Sequence, residues 1–412
     1  MTTHPYLKTL AHPKLGDVKG FSSAGIAAGL KRSGKLDLGI LFSDRPCSAA
    51  GLFTQNRFPA APVVYDREVL RRRASAVRAV VVNSGHANAA TGPRGMDLAR
   101  RTAAAVERCL GISAGTALVC STGIIGDLPN EMVLRRGIEM ASGKLTGSDT
   151  DFQKSILTTD KVEKVAGVCM TFSGGREARL IGVTKGSGMI APNMATMLAF
   201  IATDAGVSPA FLKTALRAAA FDTFNSVSVD GDTSTNDTVL VLANGAAGVR
   251  IRGGPRSIDG RIFAEGLREI CARLAWKLAE DGEGATKVVE VVVEGAKTSG
   301  SAKQAAKTVS ESLLVKTAMH GEDPNVGRVL AALGRSGVKE IRPDRVDVYF
   351  NGIRAVRLGV VDRTSSPLAL RNALRPKVVR IKIDLHVGRS SGKYVTCDLS
   401  SEYVRINAEY RT

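Results

Sequence analysis

The sequence predicts a mixed α/β fold, and three observations lead to this class. Apolar runs rich in β-branched residues alternate with segments of helical periodicity. Some of the apolar runs, such as KVVEVVVEG, alternate in part between apolar and polar residues, which favours antiparallel sheets with one covered face. With 412 residues, of which 44% are hydrophobic, the chain is long enough for two domains or for one large domain with a smaller lobe.

The predicted strands are short runs bounded by turn-forming residues, and their order along the chain sets the expected sheets. They are Ala79–Asn83, Ala117–Ser121, Gly167–Phe172, Thr238–Ala243, Lys287–Glu294, Val346–Asn351, Val378–Val387 and Tyr394–Leu399.

The predicted helices lie between these strands, so that sheets are expected to be layered with helices. One start signal is clear, because Ser208 is a good N-cap and Pro209 suits the first helical position. The helices are Asp97–Leu110, Pro129–Ala141, Pro209–Phe221, Arg261–Ala279 and Pro324–Leu333.

The formal net charge of +18 predicts that the protein attracts anions, either nucleic acid or small acidic substrates. A nucleic-acid site needs clustered basic residues with exposed aromatics or a known binding motif, and neither is found, so no nucleic-acid partner is expected. The six cysteines have no CxxC spacing and most lie in apolar surroundings, which is typical of reduced thiols in a cytoplasmic protein. No cysteine–histidine pattern indicates a metal, and the N-terminal residues lack the apolar core of a signal peptide.

The longest uncharged run extends from Gly186 to Thr203 and approaches the length of a membrane span. It contains Pro192 and Asn193, whose polar groups and broken backbone a bilayer would leave unsatisfied, so no membrane segment is expected. The run is interpreted as a buried loop that leads into a helix. A second loop, with a possible lobe boundary, is predicted at Ala296–Ala302 (AKTSGSA).

Two glycine-rich stretches could bind phosphate but fail their motifs. The stretch from Gly186 to Ala191 fits GxGxxG/A by letter, but Pro192 prevents a clean helix start and no acidic residue follows at the required distance. The stretch from Gly388 to Lys393 is one residue shorter than a Walker loop. Both are predicted to be turns.

Three acidic or histidine motifs have competing interpretations. Asp230–Asp237 (DGDTSTND) could bind Mg²⁺ or Ca²⁺, or form a turn in which the side chains bond the backbone. Glu283 lies between two glycines, which allows close approach to a ligand, although a surface acid is usually only solvated. His320, in HGED, suggests a metal or a dyad, or a structural hydrogen bond. No GxSxG elbow is present.

Thr196 is unusual because it follows the small residue Ala195 within a nearly apolar, methionine-rich run, KGSGMIAPNMATMLAF. A threonine hydroxyl is a weak nucleophile that needs a base, and the α-amine of an N-terminal threonine, with a pKa of about 8, can act as that base. An internal threonine reaches this state only if the preceding peptide bond is cut. The alternative interpretation is a threonine packed in an apolar helix.

The chain as a whole resembles the ornithine acetyltransferase family, also called glutamate N-acetyltransferase or ArgJ, of arginine biosynthesis. The resemblance runs essentially from end to end, in blocks of fixed order. The blocks are SDRP (43–46), FTQNR (53–57), NSG (83–85), STGIIG (121–126), TTD (158–160), KGSGMIAPNMATML (185–198), SVDGDTSTND (228–237), DGEGATK (281–287), HGEDPN (320–325) and NAEYRT (407–412).

The resemblance implies a helix–sheet–sheet–helix sandwich with a smaller C-terminal lobe. It implies self-cleavage between Ala195 and Thr196, which gives an α chain, 1–195, and a β chain, 196–412, paired as an α2β2 heterotetramer. It further implies acetyl transfer from N²-acetyl-L-ornithine to L-glutamate by a ping-pong route through acetyl-Thr196. No cofactor is expected, although acetyl-CoA could serve as a second acetyl donor.

The resemblance also assigns roles to residues that match the family's motifs. Thr122 and Gly123 match the oxyanion hole. Lys185 matches a ligand-contacting lysine expected to pair with a substrate carboxylate, and Glu283 matches the contact to the ornithine δ-ammonium. The remaining binding positions match Thr159, Asn407 and Thr412.

The chain departs from common family residues at His86, Ala90 and Val326, none of which is a transferred catalytic position. One rival interpretation is an N-terminal-nucleophile amidase or aminopeptidase, in which water accepts the acyl group. A second is a non-enzymatic basic binding protein that keeps one intact chain. Lys185 and Glu283 together favour an amino-acid acceptor instead.

Overall fold

The computed structural model describes residues 5–191 and 197–409. The described residues form two compact units. The first comprises residues 5–186, 197–225 and 232–275, and the second comprises residues 187–191, 226–231 and 276–409. Each unit contains one β-sheet with helices packed on it, which confirms the mixed α/β class.

The strands of the described residues are numbered in chain order. They are β1 (Leu7–Thr9), β2 (Phe21–Ile26), β3 (Leu38–Phe53), β4 (Val77–His86), β5 (Ala117–Ile124), β6 (Lys164–Thr171), β7 (Glu177–Lys185), β8 (Leu198–Thr203), β9 (Val227–Ser228), β10 (Thr238–Ala243), β11 (Val288–Ala296), β12 (Asp347–Phe350), β13 (Ile353–Arg357), β14 (Val360–Val361), β15 (Val378–Asp384) and β16 (Ser390–Cys397).

The α-helices are numbered in the same way. They are α1 (Ala61–Arg73), α2 (Gly92–Leu110), α3 (Glu131–Ser142), α4 (Asp151–Ser155), α5 (Pro209–Phe221), α6 (Ile258–Glu280), α7 (Ser299–Ser310), α8 (Leu313–His320), α9 (Val326–Gly334), α10 (Pro367–Ala373) and α11 (Ser401–Ala408).

The sheet of the first unit has the order β1-β6-β7-β8-β10-β3-β4-β5, and β2 pairs with the first half of β3. Two pairs are parallel, β4 with β5 and β8 with β10, and the other pairs are antiparallel. Every residue of β8 and β10 is buried, so these central strands are covered on both faces. Helices α1, α2 and α3 pack around the β3–β5 end of this sheet.

The sheet of the second unit has the order β14-β13-β12-β15-β11-β16-β9. Helix α7 packs on β11 and β16, and α9 packs on α7. The core between them consists of valine, isoleucine and alanine side chains such as Val291, Ala305 and Ile381, which are fully buried. This aliphatic packing agrees with the low aromatic content of 5%.

Most predicted elements are confirmed within a few residues at their ends, and the strand Thr238–Ala243 and the helix Pro209–Phe221 have the predicted bounds. Two predictions are wrong. The run after residue 196 forms the strand Leu198–Thr203 rather than a helix, because it pairs with β7 and β10. The loop predicted at Ala296–Ala302 is shorter than expected, because Thr298 caps α7 by accepting a hydrogen bond from the Ser301 amide. The lobe boundary expected there stays a prediction.

None of the described helices is long and apolar enough to cross a bilayer. The six cysteines are free thiols, and four of them are buried as predicted, whereas Cys109 is exposed and Cys169 is half-buried.

Candidate active site

One group of predicted site residues lies in the first unit, where the parallel strands β4 and β5 end together. The register places Ser84 beside Thr122 and Gly85 beside Gly123. Gly123 has a φ of +128°, and a Cβ there would lie 2.3–2.6 Å from backbone atoms of Gly85 and His86. Only glycine fits this close approach, so the NSG and STG motifs meet as one backbone structure.

Buried polar side chains hold these strand ends in place. The Ser121 hydroxyl donates to Oδ1 of Asn83 over 2.6 Å. The side-chain Nδ2 of Asn236 donates to the backbone carbonyl of Ser121 over 2.8 Å and to that of Ala87 over 2.6 Å. Three motifs that are distant in sequence, NSG, STG and TND, therefore stabilise one another around the Thr122–Gly123 turn.

Lys185 is the last residue of β7, and its ammonium reaches this turn. Its Nζ donates to Oγ1 of Thr158 over 2.8 Å and to Oγ1 of Thr122 over 3.2 Å. The residue is only 8% exposed, so its charge is largely withdrawn from water. Each hydroxyl that accepts from Lys185 keeps its own proton for a different acceptor.

Asp160 provides the negative charge that balances this buried lysine. Its Oδ1 accepts from Nζ of Lys164 over 2.7 Å and from the Gly186 amide over 2.6 Å, and its Oδ2 accepts from the Thr158 amide over 3.0 Å. Burial alone raises the pKa of this carboxyl, but the charges of Lys185 and Lys164 and these hydrogen bonds outweigh burial and lower the pKa to about 2. Asp160 is therefore ionised throughout the physiological range.

Lys31 is a third lysine of this cluster. Its Nζ donates to the carbonyls of Leu36 and Leu157, over 2.9 and 2.7 Å. Its pKa is lowered to about 8, because burial disfavours the charge and Lys185 repels it, while Asp37 and Asp160 oppose the shift. The buried carboxylate of Asp37 accepts the backbone amides of residues 28–31 over 2.6–3.1 Å and so fixes the turn that places Lys31.

A second group of predicted site residues lies in the second unit, and Glu283 is on its turn between α6 and β11. Glu283 is 5% exposed, and its Oε2 accepts from Nδ2 of Asn407 on α11 over 2.9 Å. A Cβ on Gly188 would lie 2.4–2.6 Å from the Glu283 carboxylate, so the backbone of residues 187–191 closely approaches this group. In the described ranges no ion pair reaches Glu283, which is unusual for so buried a carboxylate.

The predicted site residues thus fall into two groups. Thr122, Gly123 and Lys185 come together in the first unit, and Glu283 and Asn407 come together in the second. Thr159 follows Thr158 in the chain, and the Thr158 hydroxyl accepts a hydrogen bond from Lys185. Ala195, Thr196 and Thr412 lie outside the described residues.

Sequence reasoning assigned no role to Thr158, Asp160, Lys164 or Lys31. The first two were visible as part of the TTD block, but their pairing with Lys185 spans 25 or more residues and has no local pattern. The other candidate motifs find backbone and side-chain partners. Asp230 accepts the amides of Met189 and Ile190, and His320 bonds Asp398. Across the described parts of the chain, no group of three or more His, Cys, Asp or Glu side chains could hold a metal ion.

The chain is similar to known proteins over nearly its full length. The ArgJ family model matches residues 22–412. The arginine biosynthesis bifunctional protein ArgJ of Geobacter sulfurreducens is 44% identical over 400 residues, which cover 96% of this chain and 100% of that protein.

Two solved structures each match part of the chain. One is the arginine biosynthesis bifunctional protein ArgJ of Bacillus halodurans, with 40% identity and a TM-score of 0.50, covering 52% of this chain and 99% of the solved one. The other is ornithine acetyltransferase complexed with ornithine from Mycobacterium tuberculosis, with 36% identity and a TM-score of 0.42, covering 46% of this chain and 99% of the solved one.

Proposed function

The chain belongs to the ArgJ family, and from this membership we infer that it is an acetyltransferase of arginine biosynthesis. We propose that it moves the acetyl group from N²-acetyl-L-ornithine to L-glutamate through an acetylated Thr196. The match of the family model to residues 22–412 is the observation that carries this function. The buried carboxylate of Glu283, which has no ion pair among the described residues, supports the substrate, because it favours a ligand with a cationic side chain.

The first step is self-cleavage between Ala195 and Thr196. The Thr196 hydroxyl attacks the Ala195 carbonyl, the peptide becomes an ester, and water hydrolyses this ester to leave a free Thr196 amine. Residues 196–412 make up 217 of 412 residues, or about 53% of the chain.

Acetyl transfer then proceeds in two halves. The free amine of Thr196 takes the proton of its own hydroxyl, and Oγ1 attacks the acetamide carbonyl of N²-acetylornithine. The tetrahedral intermediate collapses as the ornithine nitrogen takes up that proton and leaves, and Thr196 keeps the acetyl group as an ester. The α-amine of glutamate attacks the ester in the second half, which releases N-acetylglutamate and restores the Thr196 hydroxyl.

Thr122 and Gly123 are suited to stabilise the negative oxygen of both tetrahedral intermediates. Because Lys185 donates to Oγ1 of Thr122, the Thr122 hydroxyl proton is available to another acceptor. The nearby buried ammonium also increases the donor strength of this hydroxyl. Donors of this kind each contribute about 3 kcal/mol to such reactions.

Lys185 places a buried ammonium at the Thr122–Gly123 turn, where it is suited to contact the carboxylate of an amino-acid substrate. We assign Thr159 to the same end of the substrate, since it lies between Thr158 and Asp160 in the chain.

Glu283 is assigned to the δ-ammonium of ornithine, with Asn407 orienting its carboxylate. A buried carboxylate with one neutral donor is poorly compensated until a cation binds. Thr412 is assigned as the third binding residue at this end by its match to the family motif. The proposal further includes an α2β2 heterotetramer in the cytoplasm, no metal or bound cofactor, and acetyl-CoA as a second possible donor.

A donor–acceptor assay tests the function. Purified protein is incubated with N²-acetylornithine, with and without glutamate, and the products are separated by chromatography. We expect N-acetylglutamate and ornithine in equal amounts with glutamate, and at most one acetyl group per chain without it. Continuous release of acetate without glutamate would contradict transfer and would support an amidase. Replacing the donor by acetyl-CoA in the same assay tests the second activity.

A further inference from the structure

The turn that carries Glu283 is held by a carboxylate to which no role has been assigned. The turn runs from the end of α6 to the start of β11, and its last two residues, Thr286 and Lys287, bind Asp398. Oδ1 of Asp398 accepts the amides of both residues, over 2.7 and 2.8 Å. Oδ2 accepts the hydroxyl of Thr286 over 2.5 Å. One side chain thus fixes three donors of a short turn.

His320 completes the set of donors around Asp398. It is the last residue of α8, and its Nδ1 lies 2.8 Å from Oδ2 of Asp398. Because a carboxylate only accepts, Nδ1 carries the proton in this contact. The Asp398 side chain is fully buried while that of His320 is 40% exposed, so His320 closes the cluster toward solvent. Burial raises the pKa of Asp398, but the four donors outweigh burial and lower it.

A second contact ties the same HGED motif to the same turn. Oε1 of Glu322 lies 3.0 Å from Nζ of Lys287, whose side chain is 8% exposed. Two side chains of the motif, those of His320 and Glu322, therefore reach consecutive residues of the turn, His320 through Asp398 and Glu322 directly. The hydrogen bond of His320 to Asp398 and the ion pair of Glu322 with Lys287 together restrict the turn more than either contact would alone.

Asp398 also connects the turn to the helix that carries Asn407. The chain continues from Asp398 to Ser400, whose hydroxyl donates to the carbonyl of Gly284 over 2.7 Å. Helix α11 then begins, and Asn407 donates back to Glu283. The Glu283 carboxylate is thus held at one end through its backbone and at the other through Asn407, and both supports begin at Asp398.

The Thr286, His320 and Asp398 side chains resemble a catalytic triad in composition but not in arrangement. In a triad the histidine lies between the hydroxyl and the carboxylate and removes the hydroxyl proton. Here the Thr286 hydroxyl donates directly to Asp398, and His320 Nδ1 is 3.5 Å from that hydroxyl and directed to the same carboxylate. The arrangement cannot activate Thr286, so it is a support rather than a second nucleophilic site.

We propose that Asp398 and His320 are positioning residues that hold the Glu283 turn in place to receive the side-chain ammonium of the substrate. The proposal rests on the function assigned above. Neither residue is required to touch the substrate. Loss of either should misplace the Glu283 carboxylate, and a displacement of about 1 Å can cost roughly 100-fold in rate or affinity.

The test compares two histidines of the second unit that each pair with an aspartate. His386 lies 3.4 Å from Asp347, and its side chain is 44% exposed, so it matches His320 in exposure and partner type while contacting no residue of the Glu283 turn. His320→Ala and His386→Ala are each assayed with N²-acetylornithine and with N-acetylnorvaline, which has the same carbon chain without the ammonium. A denaturing gel first confirms that all variants are processed like the wild type.

We expect His320→Ala to raise KM for N²-acetylornithine about 10-fold, with kcat changed less than about 2-fold and with little change for N-acetylnorvaline. His320→Asn retains a donor near the position of Nδ1 and should recover most of the loss, and His386→Ala should match the wild type. Folded Asp398→Asn should show a larger increase in KM for N²-acetylornithine than His320→Ala does. Equal losses on both substrates, or no loss in His320→Ala, would overturn the positioning role alone. A wild type that does not use N²-acetylornithine would overturn the assigned function as well.

Discussion

The Lys185 cluster and the Glu283 turn hold buried charges in opposite ways. Lys185 is compensated within the protein, because the negative charge of Asp160 attracts it and two hydroxyl oxygens accept hydrogen bonds from its ammonium. Glu283 has a single neutral donor and no ion pair within residues 5–191 and 197–409. The comparison suggests that the first group contributes to stability before substrate binds, whereas the second lowers stability until a cation arrives.

The largest expected effect is on stability, and it comes from Asp160→Asn. Removal of this charge breaks the buried ion pair of Asp160 with Lys164 and removes its attraction to Lys185, and breaking a buried pair costs about 3–5 kcal/mol. Chemical denaturation of the wild type and the variant measures this loss. Asp151→Asn is the matched control, because Asp151 pairs with Lys154 at the surface, where such pairs contribute at most about 1 kcal/mol. Equal losses in the two variants would contradict a compensated cluster.

The next effect is catalytic and concerns Thr122→Val. We expect kcat to fall by a factor of about 100, or roughly 3 kcal/mol, with KM little changed, because the lost donor acts on the transition state. Thr158→Val is the control, since it also removes one acceptor from Lys185 but no oxyanion donor. Steady-state kinetics of the two variants would contradict the assignment if their kcat values fell equally.

Glu283→Gln separates the two regions most clearly. We expect kcat/KM for N²-acetylornithine to fall by a factor of about 50, or roughly 2.3 kcal/mol, as the charge that receives the ammonium is lost. Stability should stay the same or rise, in contrast to Asp160→Asn, because an uncompensated buried charge is removed. Kinetics and thermal unfolding of the same preparation test both statements. A clear loss of stability would show that Glu283 is compensated within the protein.

The smallest effect is a pH dependence of stability that arises from Asp160. Its pKa is lowered to about 2 in the folded state, so its contribution is fully present above the unfolded value of about 3.9 and is lost as pH falls toward 2. The shift corresponds to roughly 2 kcal/mol. Denaturation between pH 5 and pH 2 should show this loss in the wild type and a flatter profile in Asp160→Asn. If stability fell equally with pH in the wild type and in Asp160→Asn, the lowered pKa assigned to Asp160 would be contradicted.

The parts of the molecule that were predictable from sequence are those determined by local pattern. Helix α5 has a serine cap and a proline at its start, and strand β10 is a short run of β-branched and aliphatic residues, so both were predicted with correct bounds. The run Leu198–Thr203 was predicted wrongly because an uninterrupted apolar segment has no period that separates strand from helix. Its pairing with β7 and β10, which decides the matter, is not local.

The candidate site residues likewise divide into those marked by a local sequence motif and those whose role depends on partners far along the chain. Thr122 and Gly123 follow a predicted strand, and Glu283 stands between glycines, so sequence motifs pointed to them. Asp160 and Lys31 acquire their importance only from lysines and carbonyls far along the chain. His320 was interpreted as either a metal ligand, a dyad member or a structural hydrogen-bonder, and its bond to Asp398 supports the last.

The central claim is that the nucleophile is the first residue of a newly formed chain, and intact-mass analysis with N-terminal sequencing of active protein tests it most directly. The account predicts two fragments of 195 and 217 residues (412 − 195), the second beginning TMLAF at Thr196. Thr196→Ala should remain one inactive chain. A single uncut chain in the active wild type, or a processed and active Thr196→Ala, would contradict the account.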